Sequence, residues 1–229
     1  MALNGLVWVT RAEPGASATA RRLRALGREP LVAPVLEVRP LDAAIDLEGA
    51  AALAFTSANA VRAFAARKPE RALPVFAVGE ATAKAARDAG FVAVEPAEGD
   101  VSALARLIAA RRPGLVLNPT AAEPAADLGA LLAASGVAVR TAALYETLPA
   151  EPARALAALD AVSTVLVHSP KAARRLAELL DAAALARLAF ACISEAAARP
   201  LVQAGARYVG VAPFPTEAAL LKLAPSSRG

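Results

Sequence analysis

Residues 52–64 read ALAFTSANAVRAF, and residues 165–177 read VLVHSPKAARRLA. In each, an apolar run too short for a helix meets a small polar turn, Thr56-Ser57-Ala58-Asn59 or His168-Ser169-Pro170-Lys171, and helical spacing begins beyond it. Ser, Asn and Pro at such a junction are the residues that start helices. Both stretches are therefore expected to be a strand, a turn and a helix, one device used twice.

Similar apolar runs occur at Leu6–Val9, Leu53–Phe55, Val75–Val78, Leu115–Leu117, Val165–Val167 and Ala189–Ile193, each ahead of a helical stretch. That alternation specifies an α/β chain with parallel sheets covered by helices. Gly27, Gly90, Gly136 and Gly205 stand where helices are expected to end in a left-handed residue. Further units align behind the first pair. VGEATAKAARDAG from Val78 matches ISEAAARPLVQAG from Ile193, and VEPAEGDVSALARLIA from Val94 matches VAPFPTEAALLKLA from Val211. TRAEPGASATARRLRALG from Thr10 matches NPTAAEPAADLGALLAASG from Asn118.

The Ala-Glu-Pro unit opens one set, at Ala12–Pro14, and closes the other, at Ala122–Pro124. This order places one domain inside the other. The reading is a discontinuous α/β domain over 1–38 plus 146–229 and an inserted α/β domain over 42–140. The segments 35–41 and 141–149, extended and bounded by Pro, form a two-stranded linker. Both domains are expected to be doubly wound and flavodoxin-like.

The chain has 229 residues, 57% of them hydrophobic, with roughly a quarter alanine. The net charge of +4 comes mostly from arginines spread singly along helices, without the clustered basic residues and interleaved aromatics of a nucleic-acid surface. It suits an anionic small molecule better. Cys192 and His168 are each unique, which excludes an internal disulfide and a zinc site of ordinary ligand count; no metal is expected. The opening MALNGLVWVTR lacks a basic leader, and no apolar run reaches the ~18 residues of a membrane span, so the expectation is a cytoplasmic protein without membrane association. Neither G-x-G-x-x-G nor G-x-x-x-x-G-K-[ST] occurs, which counts against a nucleotide enzyme. A monomer is expected.

Taken together, Thr10-Arg11, Phe55-Thr56-Ser57-Ala58-Asn59-Ala60-Val61, Val78-Gly79-Glu80-Ala81-Thr82-Ala83, Tyr145-Glu146-Thr147 and Ser169-Pro170 resemble the uroporphyrinogen-III synthase family across essentially the whole chain. The resemblance implies two α/β domains on a two-stranded linker and a lyase that works without a cofactor. Its substrate would be hydroxymethylbilane, a linear tetrapyrrole with eight carboxylates. The enzyme would remove the terminal hydroxyl as water and close the ring with the last pyrrole inverted, through a spiro intermediate. The family more often has Gly and Thr where this chain has Ser194 and Ala197, and Gly and Arg around Asn118. Those departures support an alternative: a non-catalytic protein of the same fold that binds an anionic small molecule in an interdomain cleft.

Under this resemblance the opening turns become a carboxylate cradle. The first turn of a helix leaves backbone N–H groups unpaired, and small polar residues admit an anion to them. Ser57, Ala58 and Asn59 in one domain and Ser169, Pro170 and Lys171 in the other are the binding candidates; ordinary N-capping is the competing role for the two serines and Asn59. Gly79 and Thr82 form a similar turn, or a plain one. Arg11, at the C-terminal end of the first strand, is placed either to clamp a carboxylate or to pair with Glu13. Lys171 is either solvated or recruited. His168 and Ser169, adjacent on a strand end, point apart and make no nucleophile pair, which leaves His168 as a strand-end residue near the cleft. Tyr145, in the second linker, either packs there or lends its phenol to the departing hydroxide as the catalytic residue.

Overall fold

In a computed structural model, residues 5–224 are described, and the chain divides into two compact units. One takes the chain up to Glu37 and from Leu148 onward; the other is Val38–Thr147. The first unit begins with β1 (Leu6–Val9), α1 (Gly15–Ala25) and β2 (Pro30–Val32), and β3 (Leu36–Pro40) leads out of it. The second continues with β4 (Ala50–Phe55), α2 (Ala58–Ala65), β5 (Val75–Val78), α3 (Gly79–Asp88), β6 (Val94–Ala97), α4 (Val101–Arg111), β7 (Leu115–Ala121) and α5 (Leu128–Leu132). Strand β8 (Val139–Pro149) leads back. The first unit then resumes with α6 (Ala153–Ala157), β9 (Val162–Val167), α7 (Pro170–Leu179), α8 (Ala182–Arg187), β10 (Ala189–Cys192), α9 (Glu195–Gln203), β11 (Tyr208–Val211) and α10 (Glu217–Leu223).

The first sheet has the order β2-β1-β9-β10-β11, all parallel. Counted within its own unit this is 2-1-3-4-5, the flavodoxin-like order. The second runs β8-β7-β4-β5-β6, also parallel, with β3 added beside β8. Leu41 N donates to the Leu144 carbonyl and Ala150 N to the Val35 carbonyl, so the paired positions run in opposite directions along the two crossings. That is antiparallel pairing. When strands are matched through the sequence repeats, β1 with β7, β9 with β4, β10 with β5 and β11 with β6, the two parallel sheets have the same order.

Both units are packed on each sheet face. In the first, Trp8, Val165, Val167, Phe190 and Leu176 form one buried cluster, and Val7, Val9, Leu23, Leu166 and Leu220 form the other. Alternate residues of β1 and β9 thus serve opposite faces, as the period of two requires. The Trp8 indole N–H is satisfied by the Ala33 carbonyl at 2.6 Å. In the second unit Phe55, Phe64 and Phe91 meet at ring-centroid distances of 5.8–6.1 Å. The Arg71 guanidinium lies 4.9 Å over Phe91 and donates to the Ala65 and Ala89 carbonyls near the ends of α2 and α3.

Several expectations are corrected. Strand β10 stops at Cys192, not Ile193, and β4 and β9 begin earlier than their apolar runs, at Ala50 and Val162. Strand β7 continues through Asn118, Pro119 and Thr120 to Ala121, so the segment aligned with the Thr10 turn is still strand and α5 starts only at Leu128. Pro119 is tolerated there because β4 pairs with β7 only as far as Leu117. Asn118 is buried, and its amide donates to the Ala54 carbonyl at 2.8 Å, tying β7 to β4. The Gly27, Gly90, Gly136 and Gly205 helix ends do have positive φ. Replacing Asn118 by Ala should leave a buried carbonyl unpaired and lower unfolding free energy by about 1–3 kcal/mol in urea titration, while the far-UV spectrum stays that of the parent.

Candidate active site

In a parallel sheet all strands end on one edge, and there the helices begin. The capping serines of the two quoted turns have nearly the same torsions. Ser57 has φ −158° and ψ 154°, Ser169 φ −161° and ψ 155°, and each hydroxyl oxygen accepts from the backbone N–H three residues on, Ala60 or Ala172, at 3.1 Å. Both serines are therefore N-caps, whatever else they bind. Pro170 occupies the first helical position, where its missing N–H costs no intrahelical bond. Ser194 repeats the cap, at φ −160° with 3.3 Å to Ala197 N, so this departure from the family pattern retains a hydroxyl at the turn. The matching start of α3 has no side-chain cap; Gly79 takes φ +64°, and the space where a Cβ would project is open.

In the second unit the cap is extended. The Ser57 hydroxyl also pairs with the Tyr145 hydroxyl at 2.8 Å. Tyr145 lies on β8, separated from β4 by β7, and is 6% exposed, in one buried cluster with Phe55, Leu117 and Leu144. Burial raises the phenol's pKa above its ordinary value, against the Ser57 hydrogen bond and the Arg62 charge, which both lower it. Tyr145 is thus a protonated phenol at neutral pH with its oxygen at the mouth of α2. Asn59 accepts a hydrogen bond from Arg62 through its side-chain oxygen, fixing that guanidinium at the same turn. Thr82 is buried one turn into α3, away from the exposed helix start.

The first unit gathers charge at its edge. Arg11 pairs with Glu217 at 3.2 Å, and not with Glu13, whose carboxylate is taken by the Ser17 N–H and hydroxyl. His168 directly follows the end of β9, and its side chain is 9% exposed, with Nε2 meeting the same Glu217 carboxylate at 3.0 Å. Thr19 donates to the other carboxylate oxygen, and Arg22 stands 3.9 Å from it. Glu217 is the first residue of α10 and was not singled out from sequence; its only local sign is the Thr216-Glu217 pair opening an apolar run. Lys171 lies half-buried in the first turn of α7.

Burial pushes the Glu217 carboxyl up, but hydrogen bonds and charge from His168, the Thr19 hydroxyl and the Arg11 charge outweigh it and hold the group down at about 2. Burial drives His168 below its ordinary value in spite of Glu217. At neutral pH the imidazole is therefore uncharged, and its Nε2–H, assigned from the partner, donates to an ionised carboxylate. Its charge adds to the attraction only in acid. The Cys192 thiol is buried, and burial with the Glu195 charge pushes it up to about 12, which removes it from thiolate chemistry. Among the described residues no cluster of three or more His, Cys, Asp or Glu side chains converges as metal ligands would, and no helix is long and apolar enough to cross a membrane.

Two flavodoxin-like units, with polar and charged turns at the sheet edges where open α/β sheets bind ligands, define a small-molecule α/β protein of two repeated domains. The sequence profile described as Uroporphyrinogen-III synthase HemD matches residues 17–222, and the chain belongs to that family. Membership makes it a cyclising lyase of haem biosynthesis, with hydroxymethylbilane as substrate. The fold is similar to that of uroporphyrinogen-III synthetase from Helicobacter pylori 26695, at TM-score 0.69 and 22% identity over 96% of this chain and 97% of the other. It is also similar to that of a mutant uroporphyrinogen-III synthase from the extremely thermophilic bacterium Thermus thermophilus, at TM-score 0.58 and 18% identity over 95% and 96%. No curated protein sequence matches.

The buried pair makes a pH dependence specific. Both folded pKa values lie below their unfolded ones, so both groups contribute stability above the unfolded pKa that is lost as pH falls. For His168 the loss begins just below pH ~6.5, and for Glu217 it runs from ~4.5 toward 2. The melting temperature should fall on acidification from pH 7 to 5, and His168→Gln should flatten that slope; an equal slope in the variant would assign the acid sensitivity elsewhere.

Proposed function

We propose that this chain closes hydroxymethylbilane with Tyr145 as the proton donor to the departing hydroxide, and that the capped turns hold the substrate's carboxylates. The observation that carries the reading is the Tyr145–Ser57 hydroxyl pair at the N-terminus of α2. Burial keeps the phenol protonated at rest, while the Ser57 hydrogen bond and the Arg62 charge favour the phenolate left after transfer. The C–O bond of the hydroxymethyl group breaks with its electron pair leaving on oxygen, and the phenol proton converts that hydroxide to water. The pyrrole nitrogen supplies the electron push. The substituted carbon of the last ring then attacks the exposed carbon to give the spiro intermediate.

Ser57, Ala58, Asn59 and Gly79 serve as binding residues through backbone N–H groups of the first helical turns, which have no intrahelical partner. At α7 the backbone N–H of Lys171 acts likewise and its side chain adds charge, while Ser169 caps the turn and Pro170, without an N–H of its own, shapes it; Arg11 binds a carboxylate through its guanidinium. Thr82 contributes by shaping α3 behind the turn. We assign 1–38 plus 146–229 and 42–140 to two domains with 35–41 and 141–149 as the linker, a reading supported by the antiparallel pairing of the two crossings. A cytoplasmic monomer acting without a cofactor completes the assignment.

The test is incubation with freshly generated hydroxymethylbilane and separation of the isomers after oxidation. Mainly inverted isomer is expected; the spontaneous isomer alone would identify a binding protein. Tyr145→Phe retains the buried ring and should lower turnover roughly 10- to 100-fold with the product still inverted, because the pyrrole provides most of the push. An unchanged rate would leave Tyr145 as packing. Ser57→Ala removes the cap and the phenol's partner together, and should weaken apparent substrate affinity by ~1 kcal/mol and stability by a similar amount.

A further inference from the structure

Arg11 is held from two sides. One N–H of its guanidinium meets Glu217 at 3.2 Å, and that carboxylate is itself fixed by His168 and Thr19. On the other side the guanidinium lies against Gly15, the first residue of α1: a Cβ built on Gly15 would stand 2.6 Å from the Arg11 Cζ and 2.8 Å from its Nη2. Those distances are far inside van der Waals contact, so a side chain and the present position of the guanidinium exclude one another. Gly15 does not carry the positive φ that would itself require glycine. A helix start also gains nothing from glycine over alanine once the turn is formed. The backbone therefore tolerates a side chain here, and it is the arginine that does not.

We infer that Gly15 and Glu217 are positioning residues that pre-set Arg11 for a carboxylate of the substrate. The inference rests on the reading of Arg11 as a substrate ligand. Glu217 fixes one edge of the planar guanidinium, and the bare α1 start leaves room for it to lie flat against the backbone. About a third of the side chain remains exposed, and it is this part that meets a ligand. An arginine on a free tether would have to be ordered each time substrate binds, whereas this one loses little freedom on binding. Glu217 offsets part of the positive charge, so its contribution lies in orientation. His168, uncharged at neutral pH, orients the carboxylate without adding a competing cation.

The test is a double-mutant cycle on Arg11→Ala and Gly15→Ala, with kcat and KM measured for formation of the inverted isomer and melting temperatures measured alongside. Gly15→Ala retains every charge and should fold as stably as the parent, because only the Arg11 side chain, and no backbone, has to move. It should raise KM several-fold with kcat held, as should Arg11→Ala. The double variant should match Arg11→Ala, since with the arginine gone the new methyl group meets nothing. If Arg11→Ala leaves KM unchanged, Arg11 is not a substrate ligand and the binding assignment fails. If Arg11→Ala raises KM and Gly15→Ala does not, or Gly15→Ala raises it equally in both backgrounds, Arg11 binds but Gly15 does not position it.

Discussion

The constraint on which the rest depends is parallel strand pairing. Parallel neighbours cannot be joined by a tight turn, so the chain must cross back through a helix after almost every strand. All the parallel strands of a unit then end on one edge, and each crossover begins there with backbone N–H groups that the helix cannot satisfy. How the chain caps those groups decides what remains for a ligand. The Ser57 cap takes the amide of Ala60 and leaves those of Ala58 and Asn59. The Ser169 cap takes Ala172, and with Pro170 in the first position only Lys171 offers an amide. The start of α3, with Gly79 and no side-chain cap, leaves the most. Three turns of similar outline are therefore capped in three different ways.

Much of this was legible in the sequence because it is local. A polar gap between an apolar run and a helical period marks the sheet edge directly, and Ser57 and Ser169 cap as their positions suggested. The repeats carried the topology further, because matched units imply matched strands, and the two sheets do share one order. What escaped were features fixed by distant partners. Glu217 is 198 residues from Thr19 and 206 from Arg11, so no window of sequence could pair them. The nearby Glu13 looked the better partner for Arg11, but at the start of α1 it is drawn to the Ser17 amide four residues on. Short strands such as Pro30–Val32 and Tyr208–Val211 carry too few residues to show a period. Pro119 hid the continuation of β7, since proline ordinarily argues against strand.

The departures at Asn118, Ser194 and Ala197 also change meaning once placed. Asn118 points its amide into the core, where it serves the Ala54 carbonyl, and so cannot simultaneously act on a ligand through that group. Ser194 uses its hydroxyl on the amide of Ala197, whose own methyl is buried. Each substitution is thus accounted for by folding, and none removes a group that the Tyr145 and Arg11 assignments need.

The two sheet edges differ in chemistry, and the difference fits the reaction. At the α2 edge the groups are hydroxyls, Ser57 and Tyr145, with the Arg62 charge near enough to favour the ionised phenol against its burial. At the α7 and α10 edge they are charged, and the one carboxylate among them is already ionised and saturated. Proton donation needs a group that can lose a proton and recover it, whereas carboxylate binding needs donors that stay charged and stay in place. Hydroxymethylbilane also closes without an enzyme, to the isomer lacking the inversion. The protein's problem is therefore less to lower a high barrier than to select one closure over a competing one. Selection depends on differences in geometry between two closures of the same molecule. Rigid donors discriminate such differences better than mobile ones, because a mobile donor follows either geometry at nearly the same cost. In the proposed reading, capped helix starts and an arginine fixed between a backbone surface and a saturated carboxylate are donors of that rigid kind.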